Sequence, residues 1–129
     1  MASLPLNKKG KCVMGKKLTI TLTDRRPVVV DTDVWPIIAK AKSWDNQYEC
    51  QANRTWTLTV RQCQTDDDDR CVVYGVYSTC FQGESGRRGG EIVDSLDDVP
   101  AAVKRVGEYL GFEESLADEC ISDLPADEI

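Results

Sequence analysis

The chain has 129 residues, 41% of them hydrophobic and 29% charged, with 16 Lys or Arg against 22 Asp or Glu, six Cys and no His. That length suits one hydrophobic core, and that balance of apolar and charged residues argues against intrinsic disorder. No apolar run approaches the ~20 residues of a membrane-spanning helix, and Met1–Leu6 is too short an apolar stretch for a secretory signal, so a cytoplasmic protein is expected.

Charge is split along the chain: residues 1–30 hold seven Lys or Arg and one Asp, residues 31–90 seven and nine, and residues 91–129 two and twelve. An acidic body of this kind repels nucleic acid and attracts basic surfaces, including those that ordinarily hold nucleic acid. Residues 1–15 combine Lys8, Lys9 and Lys11 with Pro5, Gly10 and Gly15 and show no periodicity, which marks a flexible basic leader ahead of a domain over residues 16–122. Lys16–Thr23 alternates Leu18, Ile20 and Leu22 with Lys17, Thr19 and Thr21, predicting a strand. Asp24–Pro27 predicts a turn and Val28–Val30 a short extended approach. A helix is expected after Asp31 or Thr32, with Pro36 in its first turn and Val34, Ile37, Ile38 and Ala41 forming one apolar stripe. Trp35 and Trp44 flank that helix and are expected to anchor it in the core, and Ser43–Asn53 follows as a polar, irregular segment.

Two β-patterned runs, Thr55–Cys63 and Cys71–Cys80, predict a long hairpin whose tip carries Asp66, Asp67, Asp68 and Asp69. Facing Cys63 with Cys71 opposes Leu58 to Val76, Val60 to Tyr74 and Trp56 to Ser78, turning Trp56, Leu58, Val60, Tyr74 and Val76 toward the helices. Phe81–Glu91 is rich in glycine and predicts a flexible link, with Ile92–Val93 a brief further strand. Val99, Ala102, Val103, Val106 and Leu110 recur at helical spacing between Asp98 and Gly111, and Phe112–Ile121 continues as a shorter helix with Glu113, Glu114, Asp118 and Glu119 outward. Residues 123–129 form an acidic tail. The expected fold class is α+β, a small antiparallel sheet of about three strands with helices packed on one face, in the order β-α-β-β-α-α.

The chemistry these residues allow is narrow. Cys12, Cys50, Cys63, Cys71, Cys80 and Cys120 are widely spaced and no His completes a tetrahedral set, so reduced thiols rather than a zinc centre are expected. Asp66 to Asp69 lack the alternating carboxylates, bend glycine and distant Glu of a calcium loop, so no metal and no cofactor is expected there. Arg87 and Arg88 beside Gly89 and Gly90 form an alternative, anion-binding element for phosphate or carboxylate. Without His, acid–base and thiol–imidazole chemistry lose their usual base, which points to a non-enzymatic protein and leaves Cys or Asp chemistry as the enzymatic alternative.

Thr23-Asp24-Arg25-Arg26-Pro27, Trp35-Pro36-Ile37-Ile38-Ala39, Gln51-Ala52-Asn53-Arg54, Val60-Arg61-Gln62, Val73-Tyr74-Gly75-Val76-Tyr77 and Arg88-Gly89-Gly90-Glu91 together resemble small proteins encoded on bacterial phages and integrated mobile elements. The resemblance covers roughly Leu18–Leu110, and some such proteins act against host defence, as anti-CRISPR or anti-restriction proteins. It implies an inhibitor in the bacterial host cytoplasm, a monomer or homodimer, that occupies a basic surface of a nucleic-acid-binding host complex and competes with nucleic acid there. The residues expected to meet that partner are Asp66, Asp67, Asp68, Asp69, Glu113, Glu114, Asp118 and Glu119. A second reading is a nucleic-acid-binding accessory protein that uses Arg25, Arg26, Arg87, Arg88 and the basic leader.

Overall fold

The computed structural model of the chain describes residues 16–48, 52–65, 68–79 and 85–125. β1 (Lys17–Thr21) and β2 (Pro27–Asp31) pair as an antiparallel hairpin, with Leu18 opposite Val30 and Ile20 opposite Val28. Its turn places Arg25 in the left-handed region at φ 69°, and the amide of Arg26 donates to Asp24 Oδ1 at 2.9 Å. β3 (Ile37–Tyr48), β4 (Ala52–Gln62), β5 (Cys71–Thr79) and β6 (Ser85–Val93) then form a four-stranded antiparallel meander in chain order. A short 3₁₀ turn leads into α1 (Val99–Leu110) and α2 (Glu114–Ser122).

The helices lie together on one face of the meander, α1 over β5 and β6 and α2 over β3 and β4. Ala39, Ala41, Leu58, Val60, Cys71 and Val73 point into that interface and meet Val103, Val106, Leu110, Leu116 and Cys120. Small residues let the layers close. A Cβ added at Gly75 would stand 2.6 Å from Leu110 Cδ1 and 3.0 Å from Leu58 Cδ2, so a side chain there would force the packed Leu110 to shift. Gly111, at φ 73°, ends α1: its amide donates to Glu108 O and that of Phe112 to Gly107 O. The other face of the meander carries the β1–β2 hairpin, where Ile20, Leu22 and Val30 bury Val72 and pack on Tyr74 and Ile92. Thr23 ties the hairpin to β6, its amide donating to Gly90 O at 2.9 Å and its Oγ1 accepting from the Gly90 amide at 3.2 Å.

This architecture corrects the expected fold class. Among the described residues there are six strands in two sheets, in the order β-β-β-β-β-β-α-α, instead of about three strands in the order β-α-β-β-α-α. Two segments account for the difference. The capping signal at Asp31 is used, since Asp31 Oδ1 accepts from the Asp33 amide and Asp31 O from those of Val34 and Trp35, but it closes one turn only. Beyond Pro36 the chain extends, and Ala39 and Ala41 are buried while Lys40 and Lys42 are exposed, a period of two that decides for strand. The described part of the glycine-rich segment, from Ser85 on, is likewise strand, and its Gly90 gives up its outer edge to Thr23.

The hairpin of β4 and β5 forms with its register one residue from that expected: Gln62 faces Cys71, Val60 faces Val73, Leu58 faces Gly75 and Trp56 faces Tyr77. A one-residue slip reverses the faces of β5, so Tyr74 points to the small hairpin instead of the helices. The reason is the second apolar layer, which claims Val72, Tyr74 and Ile92.

Candidate functional site

α2 buries Leu116, Ala117 and Cys120, and the helical period therefore turns Glu114, Asp118 and Glu119 outward. Glu113 precedes the helix in extended conformation with no side-chain cap bond. Two clefts share Glu113. One, of about 370 Å³, opens between α2 and the sheet, with Trp56 and Leu116 as apolar walls, Ser43 and Ser115 as polar ones, and Glu113 and Glu119 at its rim. The other, of about 320 Å³, runs between the helices over Gly107 and Ala117, edged by Glu108, Glu113 and Glu114 with Lys104 opposite. Trp56 is held in place by Tyr77, ring centroids 5.5 Å apart, and by Arg54, whose Cζ lies 5.3 Å from the indole centroid. No Lys or Arg among the described residues forms an ion pair with Glu113, Glu114, Asp118 or Glu119.

The aspartate tip is a different environment. Asp68 is already engaged: Arg70 Nε donates to Asp68 Oδ1 at 2.9 Å, Nη2 to Oδ2 at 2.7 Å, and the Arg70 amide to Oδ1 at 3.0 Å. These bonds hold the Asp68 carboxyl well below the usual carboxylate range. Arg70 also lies 5.7 Å from the Trp35 ring centroid, and Arg61 ties the same loop down by donating to Trp35 O and Tyr74 Oη. Asp69 is exposed, and Asp66 and Asp67 lie outside the described residues. The tip follows Gln62, whereas Glu113 stands beside Trp56, six residues back along β4 and so about 20 Å away along the strand. Of the expected partner surface, the described carboxylates are thus divided, Asp68 and Asp69 beyond one end of β4 and Glu113 beside Trp56.

Arg87 and Arg88 are separated as well. Arg88 faces Val76 on the side of the small hairpin, while Arg87 reaches the other side, where a Cβ on Gly111 would stand 3.6 Å from Arg87 Nη2. Strand alternation therefore undoes the paired-arginine anion site, and Arg87 sits at the carbonyl end of α1, a position that favours a cation.

Cys63, Cys71 and Cys120 are buried free thiols, and Cys63 lies past the last strand pair, with Sγ 3.3 Å from Thr65 Oγ1. Burial pushes Cys71 and Cys120 up to about 11, opposite to what a thiolate nucleophile needs. Cys12, Cys50 and Cys80 lie outside the described residues. Among the described residues no three Cys, Asp or Glu side chains converge in a way that would hold a metal ion, and no helix is long and apolar enough to cross a membrane.

Two features escaped the sequence. The Trp56 cleft depends on α2 folding back over β4, which no local pattern announces. The row Lys40, Lys42 and Trp44 was visible as alternation with Ala39, Ala41 and Ser43, but the helical stripe through Ile37, Ile38 and Ala41 obscured it. No protein-family model matches the chain, and neither a curated protein nor a solved structure is similar to it.

Proposed function

We propose that the chain is a non-enzymatic interaction protein that docks the basic surface of a nucleic-acid-handling complex against the face formed by α2 and the Trp56 cleft. The observation that carries this reading is the cleft itself: Glu113 and Glu119, with no ion-pair partner among the described residues, stand over an apolar wall of Trp56 and Leu116. A partner's Arg or Lys side chain meets both needs, since its stem covers apolar surface and its charged head takes the carboxylates. Asp118 and Glu114 extend the same negative field and speed encounter with a positive surface. With the resemblance to anti-defence proteins of phages and mobile elements, the proposed partner is a host CRISPR or restriction complex in the bacterial cytoplasm, and the proposed effect is competition with nucleic acid. The absence of His and the raised thiols support a role without catalysis.

Pull-down of guide-loaded CRISPR effector complexes by the full chain, with and without target nucleic acid, tests the reading. Binding is expected to weaken with salt, to be relieved by nucleic acid, and to fall about tenfold or more in the Glu113→Gln, Glu119→Gln double variant. Asp68→Asn is expected to matter little, because Arg70 already occupies that carboxylate. Absence of a complex, or a complex indifferent to salt and to the double variant, rejects the proposal.

A further inference from the structure

The meander has a second exposed face, and the chemistry there is the opposite of that on α2. The β1–β2 hairpin covers Val72, Tyr74 and Ile92 and stops there. Beyond it, the register sets Lys42, Thr57, Val76 and Arg88 side by side on the four successive strands, a row about 14 Å long. Val76 is half-buried and belongs to neither apolar core, so among the described residues no apolar layer covers this half of the face. The next row begins with Trp44, 64% exposed, beside the hydroxyl pair of Thr55 and Ser78, whose oxygens are 2.6 Å apart. Lys40 is exposed one row back, and Lys40, Lys42 and Arg88 form no ion pair among the described residues.

We infer that this half-face is a platform for single-stranded nucleic acid. Every base offers a face to an exposed indole, and the phosphates that follow it need cations close by, which Lys42 supplies two residues away and Arg88 across the sheet. The broad face of a sheet suits unstacked bases and does not enter a duplex groove. An anionic membrane is a poorer match, because Trp44 is the one large hydrophobic side chain among those exposed that lies on this half-face, and a single aromatic anchor inserts weakly. The carboxylates Glu113, Glu114, Asp118 and Glu119 do not oppose the contact directly, since they belong to the helical layer on the far side of the sheet, and on the near side Asp24 and Asp31 of the hairpin are paired with Arg26 and Lys17. This inference is independent of the cleft around Trp56, and the two fail separately.

Fluorescence anisotropy of labelled 15-mers of thymidylate and of uridylate with the full chain provides the test, and either oligomer bound upholds the platform while their ratio reports on the sugar. Three cations predict a salt slope of about −2, so affinity is expected to fall about fifteenfold between ~50 and ~200 mM salt. Trp44→Ala is expected to lose about tenfold, and Lys42→Gln with Arg88→Gln to flatten the slope by about 1.4, each variant melting at the temperature of the parent. Glu113→Gln, in the helical layer, is expected to leave oligomer binding unchanged. The inference is overturned if neither oligomer binds at ~50 mM salt, if the Lys42→Gln, Arg88→Gln variant binds as the parent does, or if Trp44→Ala is silent. Preference for a duplex of the same length, or for an acidic peptide over both oligomers, overturns it equally.

Discussion

One sheet serves two unlike neighbourhoods. On the helical side the strands present Ala39, Ala41 and Gly75 among larger residues, and these short side chains admit α1 and α2 to close packing with Leu58 and Val60 fully buried. On the opposite side the same strands present Lys40, Lys42, Trp44 and Arg88, exposed long side chains on the half of the face that no apolar layer covers among the described residues. On α2 the outward side chains are the carboxylates Glu114, Asp118 and Glu119, whereas the open half of the strands carries the cations Lys40, Lys42 and Arg88. Residue size along a strand thus records which side is to be covered, and the uneven charge of the sequence becomes an asymmetry across the sheet as well as along the chain.

Adjacent residues of β4 give the sharpest test. Leu58 is fully buried under the helices, so Leu58→Ala removes apolar contacts and leaves a cavity, at an expected cost of about 3 to 5 kcal/mol. Thr57, the preceding residue, faces the open side, and Thr57→Val keeps its branched shape and is expected to change stability by no more than about 0.5 kcal/mol. Urea denaturation of both reads the contrast directly, and similar values for the two would mean that the open face is covered in solution. Gly75→Ala is expected to cost about 1 to 3 kcal/mol by the same assay, because its added Cβ meets Leu110 at 2.6 Å and Phe112 at 3.2 Å. A neutral Gly75→Ala would show that α1 rides more loosely than its packing implies.

What the sequence makes legible follows from how local each signal is. α1 is readable because Val99, Ala102, Val103, Val106 and Leu110 repeat at helical spacing and Gly111 must adopt a left-handed conformation. β4 and β5 are readable as strands from their branched and aromatic residues, but not their register, which is fixed by two apolar layers from distant parts of the chain. β3 was hidden because Ala suits a helix in isolation, while here Ala39 and Ala41 are short so that α2 can approach. Outward Glu113, Glu114, Asp118 and Glu119 are legible from the helical period. Their cleft with Trp56 is not, since it joins residues almost sixty positions apart, and neither is the loss of Asp68 to Arg70, a matter of loop geometry.

The thiols make the comparison sensitive to pH, and both of those pushed up to about 11 by burial belong to the helical side. An unfolded thiol ionises near 8.5. Since the folded value is the higher one, the stabilisation is complete below about pH 8.5 and is lost as pH rises toward 11. Thermal melts between about pH 8.5 and 11 are expected to show a steeper fall for the parent than for the Cys71→Ala, Cys120→Ala double variant, even though the variant starts lower. Equal slopes would mean that water reaches these sulfurs, and so that the helical layer opens in the native state.

A smaller effect than at Leu58 or Gly75 is expected from the hydroxyl pair on the open face. Thr55 Oγ1 and Ser78 Oγ lie 2.6 Å apart across β4 and β5, half-buried, and belong to neither apolar layer among the described residues. Thr55→Val and Ser78→Ala are each expected to cost about 0.5 to 1 kcal/mol, the range of a hydrogen bond exchanged against water. The double variant is expected to cost no more than about the larger single change, because the first substitution already breaks the bond. Additive costs would assign the two hydroxyls to separate partners. Single costs approaching those of Leu58→Ala would place these hydroxyls in a buried layer, and the division between a packed face and a bare one would no longer hold.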